Sequence, residues 1–235
     1  MGGCTVTAID ERAFYECDNI TAVTIPESVK IIENAAFAFC SNLTSVVLPN
    51  GIQTISDSAF SDCDKLAEVN LPDTVIKIGS LAFSNCTSLE DIKIPKTVTT
   101  IGDYAFGWCY ALTDITIPDA VTSIGKGAFA FCQNITDVNL GDGIKIIPES
   151  AFYNCEKINE IVIPKGVAQI NHSAFEGCNN LKKIIIPNTI ETIDDYAFDN
   201  CKKLSDVWYG GSEDNKINIG YYNECLTAAT WHYGM

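Results

Sequence analysis

The stretch LTDITIPDAVTSIGKGAFAFC, residues 112–132, contains one complete unit of the pattern that decides the fold. Ile115 and Ile117 stand two residues apart and are followed by Pro118. This spacing predicts a short strand with one apolar and one polar side, ended by a residue that has no N–H for a strand ladder. A second extended piece and a tight segment carrying Phe129 follow. The same order of residue types recurs along the chain, so the stretch is one unit of a repeat.

The repeat keeps a period of 23 residues without one insertion or deletion, counted from the phenylalanine of each coil. Ala directly precedes this residue, and Cys follows three positions later. Val or Ile stands eight positions before it, Ile five before it, and further aliphatic residues follow at plus six, at plus nine and usually at plus eleven. Pro occupies plus twelve in seven of the nine coils. The phenylalanines are Phe14, Phe37, Phe60, Phe83, Phe106, Phe129, Phe152, Phe175 and Phe198.

One such coil buries too little apolar surface to offset the conformational entropy of ordering its backbone. Neighbouring coils must therefore stack, and we expect a solenoid of nine coils in a right-handed parallel stack. A parallel β-sheet would form one face, with short strand, irregular or helical-turn segments on the other. We expect the solenoid over residues 1–209 and a closing segment over residues 210–235. The first coil starts abruptly, which would leave core exposed, so we expect an upstream piece to be missing.

The repeat Leu-x-x-Ile-x-Ile-Pro-x-x-Val-x-x-Ile-Gly-x-x-Ala-Phe-x-x-Cys resembles the BspA-like, or Treponema-type, leucine-rich repeats. The resemblance covers about residues 5–209, and the tail from Tyr209 to Tyr233 is similar to the closing segment of such proteins. It implies a curved solenoid with the sheet on its concave face, in bacterial surface or secreted proteins that adhere to host or neighbouring-cell components. It implies no catalytic or binding residue, because the family carries no fixed motif.

The composition narrows the classes of partner. Thirty acidic residues against fifteen basic ones give the 235-residue chain a formal charge of −15. Nucleic acids and anionic membranes are poor partners for such a surface, whereas basic proteins or cations suit it. No apolar run approaches the roughly 20 residues of a membrane span, and Met1–Cys4 has no signal-peptide character. We expect an extracellular or cell-surface location, an extracellular protein or glycan as partner, and a monomer or a weak end-to-end or face-to-face oligomer.

The eleven cysteines belong mostly to the repeat. Nine occupy the same position in successive coils, and only Cys4 and Cys225 lie outside this column. Stacked coils would place neighbouring column cysteines about 4.8 Å apart, wider than the roughly 3.5 to 4.5 Å between the Cβ atoms of a disulfide. We expect buried free thiols that act as small apolar side chains. A zinc site is not expected, because no C-x-x-C is present and His172 and His232 are the only histidines.

Candidate ligand-binding residues are sought in the columns that face outward. The clearest is plus eight on the sheet face, which carries acidic residues in five successive coils. Carboxylates about 4.8 Å apart repel one another, so binding of a cation such as calcium or of a basic partner would reduce this electrostatic repulsion. The alternative is a solvated acidic face with local relief from Lys93. The residues are Glu68, Asp91, Asp114, Asp137 and Glu160.

The plus-ten column, also outward on the sheet face, ends in three adjacent apolar residues, Val162, Ile185 and Trp208. Contiguous exposed apolar surface often marks an interface. Alternatively, the aromatic tail folds back over this stripe. On the other side of the coil, Trp108 and Phe131 occupy equivalent positions in adjacent coils. They form either an aromatic platform for a sugar ring or a protein, or ordinary packing beneath a loop.

No catalytic residue, cofactor or metal site is predicted. Carboxylates on an open sheet lack the desolvated pocket that raises the pKa of a catalytic acid. We therefore expect a non-catalytic binding or adhesion module that recognises a protein or glycan through its outward faces. A structural spacer without a ligand and calcium-dependent binding along the acidic column remain alternatives. In the sixth coil, Gly141 replaces the turn proline and Pro148 stands where other coils often have Gly. We expect a local change in curvature there and nothing chemical.

Overall fold

The computed structural model describes residues 5–215 and 217–234, which form a parallel β-solenoid of nine 23-residue coils closed by a tenth, shorter turn. Residues 1–4, which include Cys4 and the expected start of the solenoid, lie outside the described residues. The elements are β1 (Ala8–Ile9), β2 (Ala22–Thr24), β3 (Ile31–Ile32), β4 (Ser45–Val47), β5 (Thr54–Ile55), β6 (Glu68–Asn70), β7 (Lys77–Ile78), β8 (Thr100–Ile101), β9 (Asp114–Thr116), β10 (Ser123–Ile124), β11 (Asp137–Asn139), β12 (Ile146–Ile147), β13 (Glu160–Val162), β14 (Gln169–Ile170), β15 (Lys183–Ile186), β16 (Thr192–Ile193), β17 (Asp206–Tyr209), β18 (Asn218–Ile219), α1 (Glu224–Ala228) and β19 (Thr230–Tyr233).

Every described coil except the fourth contributes one strand to each of two parallel ladders, and the fourth contributes only β7. A two-residue strand before the phenylalanine forms the back ladder, as in the pairing of Ile78 with Ile101. A three- or four-residue strand after the phenylalanine forms the sheet face, as in the pairing of Asp114 with Asp137. Every pairing joins residues one 23-residue repeat apart, except at the closing turn, where the paired residues are 24 or 26 apart. The columns inferred from the sequence are therefore columns in space.

The strand pattern of residues 112–118 is confirmed. Ile115 and Ile117 are each only 1 % exposed, whereas Asp114 and Thr116 face solvent. The same alternation in the other coils places two apolar columns, plus nine and plus eleven, beneath the sheet face, and they belong to a core that is continuous along the solenoid. Phenylalanine rings of successive coils stack within it at centroid distances of 4.9 to 5.5 Å.

The segment around each phenylalanine is a run of turns. Its backbone alternates, because the residues two before and two after the phenylalanine have positive φ, as at Tyr104 (51°) and Trp108 (61°). Tyr104, Phe106 and Trp108 each donate an N–H to a carbonyl of the next coil at 2.8 Å, while the intervening Gly107 donates within its own coil. Coils are thus hydrogen-bonded on the turn side as well as through their strands.

The cysteine column is held by hydrogen bonds. Each thiol from Cys40 to Cys201 donates to the carbonyl of the phenylalanine in the preceding coil at 3.0 to 3.4 Å. The ten described cysteines are free, in agreement with the geometric prediction. Burial raises the pKa of the eight thiols from Cys40 to Cys201, to about 12 for Cys109. The thiols therefore stay protonated at neutral pH.

Both ladders stop between the sixth and seventh coils, and we call this boundary the seam. β11 pairs with β9 and β13 pairs with β15, but within the described residues no pairing joins β11 to β13. On the back, β10 and β12 belong to separate sheets as well. Elsewhere in residues 5–215 and 217–234 at most one of the two ladders is interrupted, for example on the sheet side of the fourth coil. The seam is thus a larger change than the local reshaping predicted for this coil.

The sequence irregularities explain the seam. Pro148 has no N–H, whereas Gly125 and Asn171 at the equivalent positions donate to Ile101 and Ile147 at 2.8 and 2.9 Å. On the sheet side, the turn of the sixth coil lies against the fifth, so close that a Cβ at Gly141 would be 2.5 Å from the Pro118 carbonyl oxygen. Pro148 therefore accounts for the missing hydrogen bond of the back ladder, and Gly141 marks a close approach of the sixth coil to the fifth on the sheet side.

The turn side of the seam remains closed. Phe129 donates its N–H to the Ala151 carbonyl at 2.9 Å, and its ring stacks on Phe152 at 5.4 Å. Lys126 forms an ion pair with Glu149 at 2.7 Å across the same boundary. The solenoid is therefore continuous through its core and its turns, while its neighbouring strands are not paired at this boundary.

The two ends differ. At the carboxyl end, the Asn223 side chain is 3 % exposed and its Oδ1 accepts the Phe198 N–H at 2.9 Å, the bond that an alanine carbonyl accepts in other coils. Its Nδ2 donates to carbonyls of Asp194 and Gly220. At the amino end, Val6 and Phe14 are 58 % and 37 % exposed.

Candidate functional site

The acidic plus-eight column lies on the sheet face as expected. Its five side chains are exposed, and four of them stand on strands β6, β9, β11 and β13. Asp91 lies in the fourth coil, where the sheet side has no assigned strand. Asp114 and Asp137 are direct partners across the ladder, so their carboxylates are immediate neighbours.

The charges of this column are only partly compensated. Glu160 forms an ion pair with Lys183 at 2.8 Å. Asp114 and Asp137 accept hydrogen bonds from the hydroxyls of the preceding threonines, at 3.2 and 2.9 Å, which leave the negative charges in place. Among the residues that the structure describes, no basic side chain forms an ion pair with Glu68, Asp91, Asp114 or Asp137. Neighbouring carboxylates at this spacing repel by about 1 kcal/mol.

The plus-ten stripe is present on the sheet face. Val162 is 50 % exposed, and Ile185 and Trp208 are partly exposed beside it in register. The tail does not fold over these residues. It adds β19 to the end of the same sheet, with His232 in register with Trp208. Val162 and Ile185 therefore stay accessible to solvent, whereas His232 of the tail covers one face of the Trp208 ring.

A network of four side chains fixes the carboxyl-terminal part of this face. The Trp208 ring stacks on His232 at 4.1 Å, and Lys183 Nζ lies 5.9 Å from the Trp208 ring centroid. His232 Nε2 contacts Asp206 Oδ1 at 2.9 Å. This hydrogen bond, with a second from Ser205, lowers the pKa of Asp206. His232 and Lys183, on the two neighbouring strands, thus hold the Trp208 side chain in place.

Sequence reasoning missed Lys183 and His232 as members of this face. Lys183 occupies the plus-eight position of the eighth coil, and its break in the acidic run was the signal. His232 escaped because the closing strand begins 24 rather than 23 residues after its partner, as Asp206 pairs with Thr230. Aligning Thr-Trp-His-Tyr with Asp-Val-Trp-Tyr would have placed it.

Two depressions meet on the sheet face at the seam. The first, the acidic hollow, has a volume of about 510 Å³ and is lined by Asp114, Thr116, Asp137, Asn139, Glu160 and Val162, among others. The second, the apolar groove, has a volume of about 700 Å³ and is lined chiefly by Leu140, Val162, Ile163, Pro164, Ile185 and Pro187. They share Val138, Asn139 and Val162, so they form one continuous surface.

The aromatic pair on the turn side packs internally. Trp108 and Phe131 stack at 5.3 Å, and Tyr104 stacks on Trp108 at 5.5 Å. Phe131 meets Tyr153 edge-on at 5.1 Å. Tyr104 reaches this position over Gly127, where a Cβ would lie 2.2 Å from its ring. The Trp108 ring lies between two others, which favours packing over a free platform for a sugar.

The described residues contain no group of three His, Cys, Asp or Glu side chains arranged to hold a metal ion. The acidic column is spread along the sheet and does not converge. No helix within residues 5–215 and 217–234 is long and apolar enough to span a membrane.

Comparison with known proteins gives one family and several related structures. The family model for the BspA type leucine rich repeat region matches residues 7–135 and 99–227, with six copies. A leucine rich cell surface protein from Faecalibacterium prausnitzii is 31 % identical with a TM-score of 0.57, over 91 % of this chain and 72 % of that one. No curated protein matches the chain.

Two further structures show the same likeness. A leucine-rich repeat protein from Bacteroides ovatus is 29 % identical with a TM-score of 0.77, over 92 % of this chain and 64 % of that one. The T. pallidum leucine rich repeat protein is 30 % identical with a TM-score of 0.58, over 79 % of this chain and 78 % of that one.

Proposed function

Because the chain belongs to the BspA-type leucine-rich repeat family, we propose that it is a non-catalytic protein-binding module of a bacterial surface or secreted protein. The observation that carries the proposal is the exposed stripe of Val162, Ile185 and Trp208 on the sheet face. Large apolar and aromatic side chains that are held in place before binding lose little entropy on binding, which is typical of interface anchors.

The geometry supports a protein partner more than a glycan. The stripe lies beside carboxylates and a groove of about 700 Å³, a combination that accepts the side chains of another polypeptide. The aromatic rings on the turn side are stacked on one another. The cell-surface description of the Faecalibacterium protein supports a surface or extracellular location for this chain too.

Site-specific photo-crosslinking tests the proposal. A benzophenone amino acid is placed at Val162 on the sheet face or at Phe39 on the turn face, two exposed apolar positions of similar accessibility, 50 % and 42 %. Each variant is incubated with a panel of purified extracellular matrix and cell-surface proteins. We expect a saturable crosslink from Val162 and none from Phe39.

A Trp208→Ala variant should weaken the same crosslink, because it removes the stacked anchor of the stripe. Absence of any bound protein, with the fold intact by circular dichroism, would overturn the binding function and favour the spacer. Crosslinks from Phe39 alone would move binding to the turn face and refute the proposed surface.

A further inference from the structure

The seam places an apolar groove and an acidic hollow side by side, and this juxtaposition goes beyond a general binding face. We propose that the continuous surface of the acidic hollow and the apolar groove is a docking site for an extended, basic segment of a partner protein. The inference rests on the proposed protein-binding function and adds the chemistry of the partner.

The groove supplies the apolar half of the site. Its walls are the outward side chains Val162 and Ile185, and its floor includes Ile163 and the turn prolines Pro164 and Pro187. The groove ends at Gly210, where the turn proline of the two preceding coils is missing. A groove about 700 Å³ in volume accommodates one or two bulky side chains such as Leu or Ile.

The hollow supplies the charged half. Asp114 and Asp137 lie next to each other across the ladder, and within the described part of the chain neither forms an ion pair. Their repulsion persists until a cation neutralises it. A Lys or Arg of a partner segment relieves this repulsion and is steered toward it by a chain of charge −15.

The sheet-face strands on either side of the seam set the size and direction of the site. Along the strands, the carboxylates at plus eight and the groove at plus ten to plus twelve are two to four residues apart, about 7 to 13 Å. Across the strands, Asp137 and Val162 lie in neighbouring coils, about 4.8 Å apart, so a segment that meets both runs diagonally. In an extended segment, side chains two residues apart point to the same face. A basic residue followed at two or four positions by a bulky apolar one therefore reaches both halves at once.

Peptide binding to the full chain tests this chemistry by fluorescence anisotropy. The probe is a labelled peptide with the sequence Lys-Ser-Lys-Ser-Leu-Ser-Leu, whose basic and apolar residues share one face. The controls are Glu-Ser-Glu-Ser-Leu-Ser-Leu and Lys-Ser-Lys-Ser-Ser-Ser-Ser. We expect the probe to bind at least about tenfold more tightly than either control, a difference of ~1.4 kcal/mol.

Variants connect the binding to the two halves of the site. The double variant Asp114→Asn/Asp137→Asn should raise the Kd of the probe about tenfold, and Val162→Asn, which removes apolar surface without adding a charge, should do the same through the groove. The matched control Glu68→Gln/Asp91→Asn removes the same charge from the same column, away from the groove, and should leave the Kd within about twofold. Thermal unfolding confirms that each variant is folded.

Four outcomes would overturn the proposal. Equal binding of the probe and the charge-reversed peptide would refute the basic partner. If Glu68→Gln/Asp91→Asn raises the Kd of the probe as much as Asp114→Asn/Asp137→Asn does, the probe responds to the overall charge of the chain and not to this site. If the Val162 crosslink to a matrix protein survives Asp114→Asn/Asp137→Asn, the partner chemistry is wrong and the binding function stands. If neither the crosslink nor the peptide is observed, the binding function fails as well.

Discussion

The boundary between the fifth and sixth coils and the boundary between the sixth and seventh have the same core and different hydrogen bonding. Phenylalanine rings stack at 5.4 Å across both, and a cysteine thiol reaches a phenylalanine carbonyl at 3.1 Å across both. Both strand ladders are intact at the first boundary and absent at the second, within the described residues. The buried columns and the turn hydrogen bonds therefore hold the stack, and the strand ladders adjust to it.

Truncation of the phenylalanine column is the strongest test of this comparison. Phe106→Ala and Phe152→Ala each remove a ring that is at most 1 % exposed, the first at the boundary between the fifth and sixth coils and the second at the seam. We expect each to cost about 3 to 5 kcal/mol, and the two to agree within about 1 kcal/mol. Urea unfolding followed by circular dichroism measures both. A much smaller loss for Phe152→Ala would mean that the core loosens at the seam.

The buried thiols provide a second comparison of the two regions, through the loss of stability at alkaline pH. Burial raises the pKa of Cys109 and of Cys155, so the native thiols keep protons that the unfolded chain loses above about pH 8.5. Their contribution to stability is complete below that pH and falls as pH rises toward the native pKa, by roughly 1.4 kcal/mol per pH unit per thiol.

Cys109→Ala and Cys155→Ala should each reduce the slope of unfolding free energy against pH between pH 9 and 11 by this amount, roughly 1.4 kcal/mol per unit. Urea unfolding at a series of pH values measures the slope. A clearly smaller change for Cys155→Ala would show that water reaches the column at the seam.

The smallest expected change in stability comes from restoring the back-ladder hydrogen bond at position 148. Pro148→Asn supplies the N–H that Asn171 provides one coil later, and the new hydrogen bond to the Ile124 carbonyl should add about 1 kcal/mol. The amide at position 148 should become protected from hydrogen exchange. The reverse change, Asn171→Pro, should destabilise the chain by about the same amount. An unprotected amide in Pro148→Asn would place the cause of the open ladder elsewhere.

The sequence predicts what depends on the 23-residue period. The burial of Ile115, the exposure of Asp114 and the free thiols follow from column position alone, because every coil meets the same neighbours. The turn conformation does not, because Tyr104 and Trp108 are poor candidates for positive φ. The signal was the glycine that replaces them in the same columns, as Gly127 does with φ of 60°.

The candidate site is less predictable than the fold because it forms where the period fails. Gly141 and Pro148 were visible as exceptions, but their effect depends on how a turn packs against Pro118, which is a tertiary contact. The pairing of Trp208 with His232 depends on one additional residue in the tail. The local pattern predicts which columns lie on the sheet face, whereas the acidic hollow and the apolar groove depend on packing between coils.

The closing contact at Asn223 has a consequence for how such proteins change length in evolution. Its side-chain oxygen substitutes for a main-chain carbonyl that any further coil would present, and the last coil offers it the same N–H that every coil offers its successor. Asn223, the terminator of the repeat, thus binds a phenylalanine N–H that every coil presents. Gene duplications or deletions of whole 23-residue units leave this junction chemically unchanged, so the array can lengthen or shorten without a new terminator having to arise.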